Sequence, residues 1–327
     1  MITESQFIGC VVGLAVGDAI GYPAEFRRRQ QILDEIGPDG ITEYIRLKDS
    51  RFSRPFFMGG SDHPPGTFTD DTQMTIAVAE ALVSHGHRKL DPLMEEMGHL
   101  FVDWSRSEKN DRSPGGTCME GCANLAKGAP WRTAGVPDSK GCGSAMRVAP
   151  IGLFYEDLDK VEDVARASSV LTHGHSAARA GAAAAALMVA LALRGLDPPE
   201  IYEQVDRRCS DSAPDFATTW RKIPILLSER PEDVLTEHAL GEGWDAEEAV
   251  ASAMYCFWRT PDDFSTAILT AINTDGDSDS LGAITGSVIG ARLGVDSIPA
   301  NWRREVEDSA QLHELGSRLW QRRESSG

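Results

Sequence analysis

Apolar residues recur every three to four positions through most of the chain, the spacing of one helix face, while runs of alternating β-branched residues are few. In TDDTQMTIAVAEALVSHG the apolar set is Met74, Ile76, Val78, Ala79, Leu82 and Val83, and Gly86 stands where a helix commonly ends. The same pattern predicts further helices at about 92–105, 117–127, 143–155, 159–171, 176–194, 198–209, 245–258, 261–272, 279–293 and 300–322. The expected fold class is all-α.

The segments between these helices, RFSRPFFMGGSDHPPG and SRSEKNDRSPGG among them, are rich in Gly, Pro, Ser and charge, and read as surface loops. No low-complexity tract divides the chain, so residues 1–327 are expected to form a single domain, with 210–243 as a candidate insertion too short to fold alone. Glycine recurs at four-residue spacing twice: Gly9, Gly13, Gly17 and Gly21, then Gly282, Gly286, Gly290 and Gly294. A glycine inside a helix costs about 1 kcal/mol against alanine, so a whole stripe implies a close approach of backbones in return. If the two striped helices meet, the ends of the chain come together.

The chain of 327 residues is 41% hydrophobic and carries a formal net charge of −18. That charge argues against general nucleic-acid binding, which depends on Lys and Arg neutralising phosphates, but it leaves room for a local phosphate site at a helix start. Six cysteines, Cys10, Cys118, Cys122, Cys142, Cys209 and Cys256, lack the paired spacing of a zinc site or a disulfide framework. They read as reduced thiols, and Cys118 with Cys122 in CMEGC as structural. The start, MITESQFIGCVVGLAVG, has no basic leader region, and the Ala-rich run AGAAAAALMVALALRG is shorter than a bilayer span and reads as a buried helix. A cytoplasmic protein without a membrane partner is expected.

The stretch AINTDGDSDSLGAITG crowds Asp275, Asp277 and Asp279 in front of a helix. One carboxylate would cap that helix. Two held about 4 Å apart repel by roughly 4 kcal/mol at an effective dielectric of 20, a penalty that a bound cation removes. An EF-hand does not account for them, because position six of such a loop is Ser280 instead of Gly and position twelve is Gly286 instead of Glu. A second cluster, Thr69, Asp70 and Asp71, opens the helix that carries Met74. Two helix starts offering hard oxygen ligands suit Mg²⁺ or Mn²⁺ rather than zinc, and could hold two ions that together orient a water. In GLAVGDAIGYPAEF, Asp18 interrupts an apolar helix and needs a partner or a wet site, and Glu25 follows Pro23 on a loop.

Five segments in order, GLAVGDAIGYPAEF, GTFTDDTQM, GCGSAMRVAPIGL, LTHGHSAARAG and GDSDSLGAITG, resemble the ADP-ribosylglycohydrolase family, in particular its group with the dinitrogenase reductase-activating glycohydrolase. The resemblance implies a single-domain, all-α orthogonal helical bundle with a central cleft holding two Mg²⁺ or Mn²⁺ ions. Matched position by position, it implies metal ligation by Thr69, Asp70, Asp71, Asp277, Asp279 and Ser280, with Asp275 as a neighbour. It implies catalytic roles for Glu25, Asp70, Asp71 and Asp279. For substrate it implies Asp18, Ser113, Gly115, Gly116, Thr117, Cys142, Gly143, Ser144, Met146 and His173, the glycine loops wrapping a diphosphate and ribose with backbone N–H groups. The expected reaction is metal-dependent hydrolysis at C1″ of the distal ribose of an ADP-ribosylated protein or small molecule, with arginine as the expected acceptor. O-linked ADP-ribose, on serine, an acyl group or a 1″-phosphate, is the alternative. A catalytically silent, ADP-ribose-binding or structural member is the alternative of another class, and the full set of metal ligands speaks against it.

Overall fold

The computed structural model describes residues 1–45 and 63–324. The loop expected over RFSRPFFMGGSD lies outside the described residues. In chain order the helices are α1 (Glu4–Gly21), α2 (Arg29–Ile36), α3 (Asp70–His85), α4 (Leu90–Ser105), α5 (Gly116–Ala126) and α6 (Ala149–Phe154). Then follow α7 (Leu158–Val170), α8 (Ser176–Leu193), α9 (Pro198–Cys209), α10 (Pro214–Trp220), α11 (Ile223–Leu226) and α12 (Pro231–Val234). The last are α13 (Ala246–Arg259), α14 (Phe264–Ile272), α15 (Ser278–Leu293), α16 (Ala300–Glu305) and α17 (Ser309–Glu324). No strand forms among the described residues, only three isolated bridges.

The two glycine-striped helices, α1 and α15, pack along their whole length. A β-carbon placed on Gly9 would lie 2.6 Å from the carbonyl oxygen of Gly290, one on Gly13 would lie 2.5 Å from that of Gly286, and one on Gly21 would lie 2.5 Å from that of Ser278. Gly17 meets Gly282 in the same way. At Gly9–Gly290, Gly13–Gly286 and Gly17–Gly282, glycine on both helices lets the backbones touch. Around this pair, α14 and α13 cover α15, α17 covers α1, and the Ala-rich α8 fills the centre against α6, α7, α13 and α15. Both α1 and α8 are long and apolar enough to cross a membrane, and both are mostly buried in the core.

Three departures from the sequence pattern have local causes. The helix expected at about 143–155 is a 3-10 turn at Cys142–Ser144 followed by α6, since Pro150 has no N–H to donate and fits only the first turn of a new helix. The helix expected at about 300–322 is broken between α16 and α17: Glu307 N–H leaves the helical pattern to donate to Gly66 O at 2.8 Å, and Asp308 takes a positive φ of 50°. The 210–243 segment is no insertion on the surface. Trp220 of α10 is fully buried, stacked between Tyr202 and Phe216 at 5.5 and 5.3 Å, within the one hydrophobic core of the described residues. All six cysteines are free thiols.

Candidate active site

The meeting of α1 and α15 brings their ends beside the start of α3, and the acid-bearing segments converge there. Asp18, fully buried on α1, is the keystone of the α3 start. Its carboxylate accepts from Thr69 N at 2.9 Å, Thr69 Oγ1 at 2.9 Å, Thr72 N at 3.0 Å and Thr72 Oγ1 at 2.5 Å. Thr69 Oγ1 in turn caps α3 by accepting from Asp71 N at 3.4 Å. Burial and the charge of Asp279 outweigh these four donors and push the Asp18 carboxyl up to about 7.

Asp70 and Asp71, on the first turn of α3, face into a cavity of about 600 Å³. Asp70 Oδ2 accepts from Gly115 N at 3.0 Å, which ties α3 to the start of α5, and Asp71 Oδ1 is buried with no hydrogen-bond partner among the described residues. Across the cavity stand Asp277, Asp279 and Ser280 at the start of α15. Asp277 is the α15 N-cap, its Oδ1 3.4 Å from Ser280 N, and its Oδ2 accepts from the thiol of Cys142 at 2.9 Å. Glu25 closes a third side, its Oε2 buried and without a partner among the described residues. Burial and mutual repulsion raise the carboxyls of Glu25, Asp70, Asp71 and Asp277 well above the usual carboxylate range, and Asp279 contributes to every one of these shifts.

Asp275 lies apart. It accepts from Arg29 N at 2.6 Å and pairs with Arg28 Nη1 at 3.4 Å, so it anchors the start of α2. Of three alternate aspartates, two face the cavity and one caps a helix outside it.

The remaining wall, joined to the acids at Gly115 and Cys142, carries donors and small residues. Ser113, at a positive φ of 54°, leads through Pro114 to Gly115, Gly116 and Thr117 at the start of α5. Cys142, Gly143, Met146 and His173 complete that wall. Of the residues expected to touch substrate, Asp18 and Ser144 do not line the cavity. Asp18 acts through Thr69 and Thr72, and Ser144, fully buried, donates to Ala178 O at 3.3 Å and accepts from Ser169 Oγ at 3.0 Å. Thr69 is likewise fully buried behind Asp70, off the cavity surface. Sequence reasoning passed over Phe26, Asn110 and Trp244, which line the mouth. Phe26, held at a positive φ of 64°, stacks on Trp244 at 4.6 Å. A bridge between Arg27 and Gly276 sets that turn, and no local pattern announces a bridge across so many residues. Cys118, expected to be structural, is 1% exposed and contributes its edge to the cavity beside Gly143.

The donor set fits a hard divalent cation in kind: carboxylates and hydroxyls from two helix starts, two orphaned buried carboxylate oxygens, and a charge repulsion that a cation relieves. Among the described residues, no three His, Cys, Asp or Glu side chains are drawn together closely enough to enclose a metal ion.

Comparison with known proteins agrees with this geometry. The profile of the ADP-ribosylglycohydrolase family matches residues 1–327. The chain belongs to the ADP-ribosylglycohydrolase family. It is 31% identical over 319 residues to an uncharacterized protein of Archaeoglobus fulgidus, covering 97% of each chain. It is 28% identical to human ADP-ribosylhydrolase ARH3, covering 96% of this chain and 93% of that one. It is 27% identical to the ADP-ribosylarginine hydrolase Tri1 of Pseudomonas putida, covering 96% of this chain and 77% of that one. A solved ADP-ribosylglycohydrolase-related protein superposes with a TM-score of 0.75 at 26% identity, over 97% of this chain and 98% of that one.

Proposed function

We propose that the chain is an ADP-ribosyl glycohydrolase that cleaves the C1″ bond between the distal ribose and its acceptor. One observation carries this reading: acids from α3 and α15, two hundred residues apart in sequence, face each other across a cavity whose other wall is glycine loops and donors. Such a cavity suits a ligand with a polar sugar at one end and phosphates at the other. Asp70, Asp71, Asp277, Asp279 and Ser280, with Thr69 fixing the α3 start behind them, would hold two Mg²⁺ or Mn²⁺ ions, which when bound supply charge neutralisation and Lewis-acid polarisation of water and sugar oxygens. Asp70, Asp71 or Asp279 orients the water and takes its proton as its oxygen bonds to C1″, and the C1″–acceptor bond breaks with its electron pair leaving on the acceptor, which ends with that proton. The carboxylate-rich wall stabilises the positive charge that develops on the ribose ring. Glu25 closes the site against bulk water, and Asp18 holds the α3 start in register.

For the acceptor, arginine is supported by Asp111, which lines the cavity with its side chain 45% exposed and offers a carboxylate to a guanidinium. O-linked ADP-ribose is the second reading, since Asp111 already lies 3.9 Å from Arg112 Nε, which draws on its charge. The test is a hydrolysis panel of ADP-ribosyl-arginine, ADP-ribosyl-serine and ADP-ribose-1″-phosphate with Mg²⁺, Mn²⁺ or EDTA. Turnover of one class, lost in EDTA and restored by metal, supports the reading. Turnover indifferent to EDTA removes the metal from it, and no turnover of any substrate leaves a binding protein.

A further inference from the structure

The protonation pattern of His173 is set from behind the cavity wall. Its main chain is pinned by His173 N donating to Ser169 O at 2.7 Å. Its neighbours are pinned by Val136 N to Thr172 O at 2.8 Å and Gly174 N to Val136 O at 2.9 Å. Among the described residues, the ring's one hydrogen-bond partner is Thr172 Oγ1, 2.8 Å from Nδ1. That same hydroxyl oxygen lies 2.8 Å from Arg147 Nη2.

A guanidinium can only donate, so Thr172 Oγ1 is the acceptor in its bond with Arg147 and keeps one hydrogen to give. Among the described residues, the acceptor within its reach is His173 Nδ1. Nδ1 is then the bare nitrogen, and Nε2 carries the hydrogen. Arg147 is well held for this task. It is fully buried, donates to Gly143 O at 3.0 Å and Ser168 O at 3.1 Å, lies over the Phe101 ring at 4.4 Å, and makes no ion pair with a carboxylate among the described residues. Burial first, and the nearby Arg147 charge second, pull the imidazole down to about 3, so the ring stays neutral. A β-carbon on Gly141 would lie 3.3 Å from Nε2 and one on Gly143 would lie 3.4 Å from it. Glycine at both positions leaves the Nε2 edge uncovered on the cavity wall.

We propose that Arg147 and Thr172 are positioning residues that lock His173 as a neutral Nε2–H donor facing the cavity, where it binds an oxygen that can only accept, such as a phosphate oxygen. The identity of that ligand rests on the function proposed above; the tautomer does not. A ring so held binds substrate and does not relay protons, because Nδ1 is already engaged and Nε2 keeps its hydrogen.

The test uses the full chain with ¹⁵N-labelled histidine, His173 being assigned by its loss in His173→Gln. The wild type should show a pyrrole-type Nε2 and a pyridine-type Nδ1, unchanged between pH 5 and 8. Thr172→Ser should keep this pattern. Thr172→Val should mix the tautomers, weaken ADP-ribose binding about two- to threefold, in proportion to the Nε2–H form lost, and raise KM more than it lowers kcat. A wild-type ring with hydrogen on Nδ1, or a Thr172→Val ring unchanged from wild type, overturns the lock. Mixed tautomers in Thr172→Val with unweakened ADP-ribose binding overturn the donor role. If the wild-type pattern is as stated but wild type does not bind ADP-ribose, the proposed function fails and the lock stands. Should Thr172→Val not fold, the wild-type and Thr172→Ser spectra still decide the tautomer.

Discussion

The seam between helices α1 and α15 and the cleft beside its end are built on opposite terms. Along the glycine seam the helices touch backbone to backbone, with no room for one more carbon at Gly13 or Gly286. Beyond the last of these contacts, Gly21 against Ser278, the segment after α1 and the start of α15 line a cavity of about 600 Å³, and there buried carboxylate oxygens of Asp71 and Glu25 have no partner among the described residues. The seam has every contact that close packing can give. The cleft keeps electrostatic repulsion in place that folding alone would remove. The difference teaches that the seam supplies the stability and rigidity that let the cleft hold like charges together.

The largest effect should come from the seam. Gly286→Val pushes a branched side chain into the Gly13 carbonyl, so the fold should lose about 4 kcal/mol or more. Urea unfolding reads this, and a midpoint equal to wild type would deny the seam its role. Next is the cleft: Asp277→Ala should lower kcat/KM about 10³-fold, roughly 4 kcal/mol of transition-state stabilisation. Its thermal midpoint should stay level or rise, because one repelling buried carboxylate is gone. A variant within tenfold of wild type would take Asp277 out of the site.

Metal and pH probe the same charge. Asp18, raised from 3.8 to about 7, binds its proton more tightly in the folded than in the unfolded protein, so its ionisation costs stability. That cost is absent below about pH 4, grows as pH rises towards 7, and is complete above it. Mg²⁺ or Mn²⁺ at a hundred times its dissociation constant should raise the thermal midpoint by about 5 °C at pH 8, and by less at pH 5, where protons already relieve the repulsion. An equal shift at both pH values would separate metal binding from these carboxylates. The smallest effect is assigned to Asp275→Ala, which removes a cap and an ion pair at α2 for about 1 kcal/mol and leaves kcat/KM unchanged. A large loss of activity there would place Asp275 in the cleft after all.

Much of this was legible in the residues. Glycine at four-residue spacing signals a helix-packing seam because only Gly lets backbones touch, and acids at two helix starts mark the carboxylates that meet in the cavity. The mouth was not legible. Phe26 and Trp244 meet through a turn held by a bridge to Gly276, and such a contact leaves no periodicity behind. Ser144 and Met146 sit two residues apart in one motif, yet one faces the core and the other the cavity, because the 3-10 turn at Cys142–Ser144 rotates the chain between them. Arg147 reads as an ordinary charge in sequence. Beyond Gly143, four residues before it, its carbonyl and hydroxyl partners are Ser168 and Thr172, from a distant segment.

By itself the sequence determined the all-α class, the pairing potential of the two glycine stripes and the kinds of ligand atom at each helix start, since these depend on spacing and side-chain chemistry along a local stretch. Only the tertiary structure decided which of the chemically identical Asp275, Asp277 and Asp279 faces the cavity, and which nitrogen of His173 carries its hydrogen. Those outcomes depend on what other segments bring alongside: Arg28 and Arg29 to Asp275, the Cys142 thiol to Asp277, and Arg147 to Thr172.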